Sequence, residues 1–196
     1  MKNDFLRNRW LLAAIGLSLL CDAAAWAHTP PVLLETMKQV GATAIVYKGP
    51  QVDVALSYRY AKNNPSGNWL MLDTAMTAST PIEIARSAIA VRTPDGRVVP
   101  LASQPEFGKA YARLAASIMG ANAFREPLGY LVPHRVRPME LFSEPGRRLA
   151  FDSVWLDEWH STYGRLYFDL PGGVVKGDYA LLIQLPQSQV TIPFTI

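Results

Sequence analysis

The side chains best equipped for chemistry are crowded into one stretch, Trp155-Leu156-Asp157-Glu158-Trp159-His160-Ser161-Thr162-Tyr163. It holds two carboxylates, an imidazole and hydroxyls, the atoms that acid–base or nucleophilic catalysis uses. Neighbours along a strand point to opposite faces, however, so adjacency in sequence is not a site. No G-x-S-x-G, H-E-x-x-H or P-loop pattern accompanies the stretch. The same residues suit recognition better. Large rings such as Trp159 and Tyr163 bury much area at small entropic cost, beside polar groups that fix orientation. The alternative is an ordinary strand edge, with Trp155 in the core, Asp157 and Glu158 solvated, and Trp159 covering a hydrophobic rim.

A second candidate lies in Pro133-His134-Arg135-Val136-Arg137-Pro138, a small basic stretch within a Pro-rich segment. Arg135 and Arg137 offer contacts to an acidic partner, and Tyr130 just upstream offers an aromatic anchor. Asp73 and Glu83 sit among strand residues, where Arg86 or Arg92 can meet them as solvated ion pairs.

The third candidate depends on the N-terminus. Lys2, Arg7 and Arg9 precede an apolar run from Trp10 to Leu20, shorter than the roughly 20 residues a spanning helix needs. Ala25-Trp26-Ala27 then fits a small-residue cleavage site, so residues 1–27 read as a cleaved signal peptide and the mature chain is expected in the periplasm or outside the cell. Cys21, the single cysteine, leaves with that peptide, so no disulfide is expected in residues 28–196. Cleavage after Ala27 makes His28 the first residue, whose free amine and imidazole can hold copper together with His134 or His160. On that one residue and an expected β-sandwich, the chain resembles two exported families. These are the lytic polysaccharide monooxygenases and the periplasmic copper-binding proteins that begin with histidine. The resemblance implies a copper site at His28, with Tyr163 or Tyr167 near an axial position. The disulfides common in the monooxygenases are missing here.

These residues must be positioned by strands. Val52, Val54, Leu56, Tyr58 and Tyr60 alternate with more polar neighbours, which predicts a half-buried strand over 51–60. Further strands are expected at 69–78, 82–92 and 98–101, with Thr93-Pro94-Asp95-Gly96 as a hairpin turn. Ser103 and Glu106 form a capping box. Phe107, Tyr111, Leu114 and Ile118 then share one helical face, which predicts an amphipathic helix over 104–119. Residues 121–146 carry four prolines among many large apolar groups and read as a long ordered crossing loop. Strand patterning resumes at Leu149, Phe151 and 153–155, then at 164–170, 179–185 and 190–196. Pro193 suits an edge strand because it has no N–H to donate.

The expected fold is all-β: an immunoglobulin-like antiparallel β-sandwich with one amphipathic helix and a helical and loop insertion at about 103–146, in a single domain spanning 28–196. The formal net charge of +3, with no run of Lys or Arg, argues against a nucleic-acid partner. The mature chain offers no second apolar stretch long enough to span a membrane. The expected function is that of a non-enzymatic envelope or secreted binding module for a protein or glycan partner. A copper-binding protein or copper oxidase and a structural subunit of an envelope assembly are the alternatives. No cofactor is expected in the leading reading.

Overall fold

A computed structural model describes residues 36–65, 67–123, 125, 128, 135–147 and 149–196. All of its elements fall within one unit, Val32–Ile196. The described residues form twelve strands. The largest sheet has six: β1 (Thr36–Val40), β2 (Ala44–Lys48), β3 (Val52–Ser57), β4 (Trp69–Ala78), β10 (His160–Asp169) and β8 (Arg135–Pro138), in that spatial order. A four-stranded sheet runs β12 (Gln189–Thr195), β11 (Asp178–Gln184), β6 (Ile89–Arg92) and β7 (Val98–Pro100), and β5 (Ile82–Ala85) pairs with β9 (Ser153–Leu156). Their apolar faces meet in one core. Val54, Leu56, Leu72, Leu166 and Phe168 come from the first sheet and Val91, Leu181, Ile183 and Ile192 from the second, with Ile84 and Leu156 from the pair. Each such side chain, fully buried, stabilises the fold by ~1.5–3 kcal/mol. The architecture is an all-β sandwich.

The outer face of the large sheet is also covered, which is why β3 is buried on both sides rather than half-buried. Helix α2 (Gln104–Ala123) lays Phe107, Ala110 and Leu114 on Met71 of β4 and Tyr167 of β10, which face each other in register. Its start follows the capping box. Ser103 N donates to Glu106 Oε2 at 2.8 Å, and Glu106 N donates back to Ser103 Oγ at 3.3 Å. Beyond the helical patch, Val46, Ala55 and Ala75 pack with Leu128.

Several elements differ from expectation. The strand expected over 51–60 stops at Ser57. Tyr58 packs on Phe194 and its hydroxyl donates to Ala42 O at 3.3 Å, so the chain turns into a second helix, α1 (Arg59–Asn63). The strand expected over 82–92 is broken at Arg86–Ala88 by a 3-10 turn. There Arg86 turns inward and donates to the carbonyls of Ala102 and Phe151 (both 2.9 Å) and of Leu141, so β5 and β6 enter different sheets. Leu149 and Phe151 form no strand and stand exposed. Strand β1, short and exposed, and strand β2, a short apolar run buried on both faces without alternation, were not expected. The crossing at 121–146 begins as the end of α2 and includes β8, which pairs with β10 in parallel, the one parallel pair among the described strands. Residues 124, 126–127 and 129–134 of that crossing lie outside the described residues. Pro193 does sit in an edge strand, β12.

Candidate functional site

Strand β10 carries the candidate residues at its first turn and along both faces. Just before it, the chain bends at 157–159, and Asp157 organises the bend. Its Oδ1 accepts from the backbone N–H groups of Trp159 and His160 at 2.8 Å each. His160 Nδ1 lies 2.9 and 3.0 Å from the two carboxylate oxygens. Arg137 Nη2, from the neighbouring β8, donates to Oδ2 at 3.1 Å. The same Nδ1 also lies 2.8 Å from Arg137 Nη2, so the imidazole is wedged between the carboxylate and the guanidinium, and the ring tautomer sets whether Nδ1 donates to the first or accepts from the second. Partial burial works to raise the Asp157 pKa, but the hydrogen bonds from His160 and from the two backbone N–H groups outweigh it and hold the carboxyl below its usual range. The backbone is fixed as well: Thr77 Oγ1 donates to Asp157 O at 2.7 Å, and Arg135 N donates to Trp159 O at 3.1 Å.

This frame holds aromatic side chains out toward solvent. In β9, Val154 and Leu156 point inward, so strand alternation turns Trp155 outward, 56% exposed rather than in the core. Trp159, on the bend, is 70% exposed. Of the nine large apolar side chains that stand exposed among the described residues, five (Val136, Leu149, Phe151, Trp155 and Trp159) lie between 136 and 159. Phe151 and Trp155 line one groove of about 330 Å³ with Arg137, Pro138 and Val154. Arg135 is exposed and forms no ion pair among the described residues.

The structure therefore brings Arg135, Arg137, Trp159 and His160 to one rim. Tyr163 is not part of it. It lies on the outer face of the sheet, where Arg125 donates to its hydroxyl and stacks 4.3 Å above its ring. Burial and the Asp73 charge together raise the Tyr163 pKa. Tyr130, His28 and His134 lie outside the described residues. His160 could offer a metal only Nε2, and among the described residues no group of three or more His, Cys, Asp or Glu is placed to hold a metal ion.

Chemically, Asp157 and His160 form the orienting half of a catalytic triad, yet no hydroxyl nucleophile hydrogen-bonds the imidazole among the described contacts. The ion pairs expected at Asp73 and Glu83 have other partners. Asp73 accepts from Arg165 Nε (2.8 Å) and Nη2 (3.3 Å), with both side chains 7% exposed, so the pair is buried rather than solvated. Glu83 accepts from Ser153 Oγ, and Arg86 meets Asp152. Sequence reasoning missed Phe151 and Trp155 as surface groups, because the register of β9 depends on its pairing with β5. Compared with known protein families, with curated proteins and with solved structures, the chain matches none.

Proposed function

We propose that this chain is an exported, non-enzymatic binding module that engages a protein partner through the rim formed by β8, β9 and the 157–159 bend. The observation that carries the reading is the pair Trp155 and Trp159, both largely exposed, the first on a strand paired with β5 and the second on a bend locked by Asp157. Interfaces concentrate their energy in such rigid aromatic anchors, and exposed apolar patches of this kind mark interaction sites. Phe151, Pro138 and Val154 make the groove suited to an apolar side chain rather than to sugar hydroxyls. Arg135, uncompensated at its edge, favours an acidic flank on the partner. Pro138 and the two arginines guard the edge of β8 against strand addition, so the contact runs through side chains.

The basic, apolar and small-residue pattern of residues 1–27 supports export. An immunoglobulin-like sandwich is supported by Tyr179 at the start of β11. Its hydroxyl donates to Val175 O (2.8 Å) and accepts from Val175 N (3.1 Å), a tie of the tyrosine-corner kind.

Affinity capture from envelope extracts tests the reading. The unaltered chain should retain a protein that the Trp155→Ala, Trp159→Ala double variant and the Arg135→Glu variant each lose. Identical captured sets for all three would overturn it.

A further inference from the structure

The far end of strand β10 borders a cleft. The strand's last residue, Asp169, lies about 30 Å from His160 at the usual strand rise, and there α1, the start of β4 and α2 enclose the cleft, of about 560 Å³. Tyr60 and Trp69 stand half-buried in its wall. Gly120 of α2 faces the Tyr60 ring so closely that an added Cβ would lie 3.4 Å from Tyr60 Cε2, which brings the helix against the aromatic lip.

Polar groups converge on the same space. Asn64 Nδ2 donates to Tyr60 O at 3.0 Å, which leaves its Oδ1 as a fixed acceptor. Asn68 is held by its backbone, since Leu170 N donates to Asn68 O at 2.7 Å. Arg113 of α2 and Asp169 of β10 both line the cleft. Both are exposed, and neither makes an ion pair or side-chain hydrogen bond among the described residues. The cleft thus combines aromatic surfaces, a carboxylate, a guanidinium and two amides on an anchored backbone.

We infer that this cleft is a binding site for a neutral saccharide. Opposite charges in one cleft give no net attraction for a polyanion or a polycation. A polyhydroxylated ring uses both, donating one hydroxyl proton to Asp169 and accepting at a neighbouring hydroxyl from Arg113. The C–H face of a pyranose is apolar and covers Tyr60 or Trp69, whose amphipathic rings suit such contacts. The volume falls within the range of small-molecule sites. This site is independent of the rim: protein recognition at Trp155 and Trp159 uses none of its residues.

Isothermal titration calorimetry of the full exported chain with maltotriose, triacetylchitotriose and trigalacturonate tests the inference. Saturable binding of a neutral probe is expected, weakened tenfold or more in Asp169→Ala and Arg113→Ala and unchanged in Trp159→Ala. Both substituted residues are exposed, and circular dichroism verifies that the variants fold. Three results would overturn the proposal: no binding of either neutral probe at millimolar concentration, preference for trigalacturonate, or binding unaffected in both cleft variants.

Discussion

Two Asp–Arg pairs sit on the same sheet and serve different ends. Asp73 and Arg165 face each other in register across β4 and β10 on the outer face, both side chains 7% exposed. The third nitrogen of Arg165, Nη1, donates to Asn122 at the end of α2 at 3.1 Å, so every donor nitrogen of the guanidinium is engaged and the helix is tied to the sheet. Burial alone lowers the Arg165 pKa, and the hydrogen bonds and charge of Asp73 more than reverse that. Asp157 and Arg137, by contrast, are 21% and 38% exposed, and the carboxylate divides its contacts among two backbone N–H groups, the His160 ring and Arg137. Burial turns the first pair into an anchor. Partial exposure turns the second into a mount for aromatic side chains. Charged residues near each other therefore say little about function until their solvation is known.

The comparison breaks first at the buried pair. Asp73→Ala or Arg165→Met leaves one charge buried without its partner, at a cost of about 3–5 kcal/mol. At ~2–4 °C per kcal/mol for a chain of this size, the melting temperature falls by about 10 °C. Asp73→Leu combined with Arg165→Met removes both charges and recovers most of the loss. Thermal unfolding of the three variants is the measurement. A single substitution costing under ~1 kcal/mol would show that water reaches this pair as freely as an exposed one.

The next effect belongs to Gly164, where the chain after β8 crosses β10. A Cβ at this position would lie 2.5 Å from Met139 Cβ and 3.2 Å from Met139 O. Glycine is needed here for close approach, not for an unusual backbone angle. Gly164→Ala should cost about 1–3 kcal/mol by overpacking, read from denaturant midpoints at unchanged slope. Because Met139 N donates to Tyr163 O at 2.7 Å, the shift passes to β8 and so to Arg137.

Local patterns in the sequence carried their share of this architecture. The capping box, the helical face from Phe107 to Ile118, the turn at Gly96 with its positive φ, and the edge position of Pro193 each depend on a few neighbouring residues, and each is found where it was expected. Features set by distant partners were not legible. Arg86 ends a strand because three carbonyls from separate segments accept its protons. Trp155 reads as a core residue until pairing with β5 fixes which face of β9 is buried. The site divided the same way. Trp159, Arg137 and His160 could be picked out by type, but the approach of Arg137 to Asp157 follows from the parallel pairing of β8 with β10, and the separation of Tyr163 from His160 follows from β10 being a strand from His160 onward.

A smaller effect sharpens the second pair. The folded pKa of Asp157 lies below its unfolded value, about 3.9. Its contribution is therefore fully present above about pH 4 and is lost as pH falls through the folded value. Asp157→Asn should cost about 1 kcal/mol at pH 7, discounted for partial exposure. The difference between variant and unaltered chain should shrink toward zero as pH falls through the folded value. Measuring the difference matters because Asp95 and Glu106 also have lowered pKa values and shift the absolute curve. A gap that stays constant with pH would mean that the carboxylate charge does not hold the bend.

The smallest effect on stability falls on the residue given the largest role in recognition. Trp159 is 70% exposed, so Trp159→Ala should change unfolding free energy by no more than ~0.5 kcal/mol. Its backbone N–H and carbonyl, which make the contacts to Asp157 and Arg135, survive the substitution. At a hot spot the same change should weaken partner binding by about 2 kcal/mol or more. The two measurements, denaturation and affinity for the captured partner, must therefore separate. If stability falls with affinity, Trp159 braces the rim and the recognition surface lies elsewhere. If stability holds and affinity collapses, the Asp157 frame exists to present that ring.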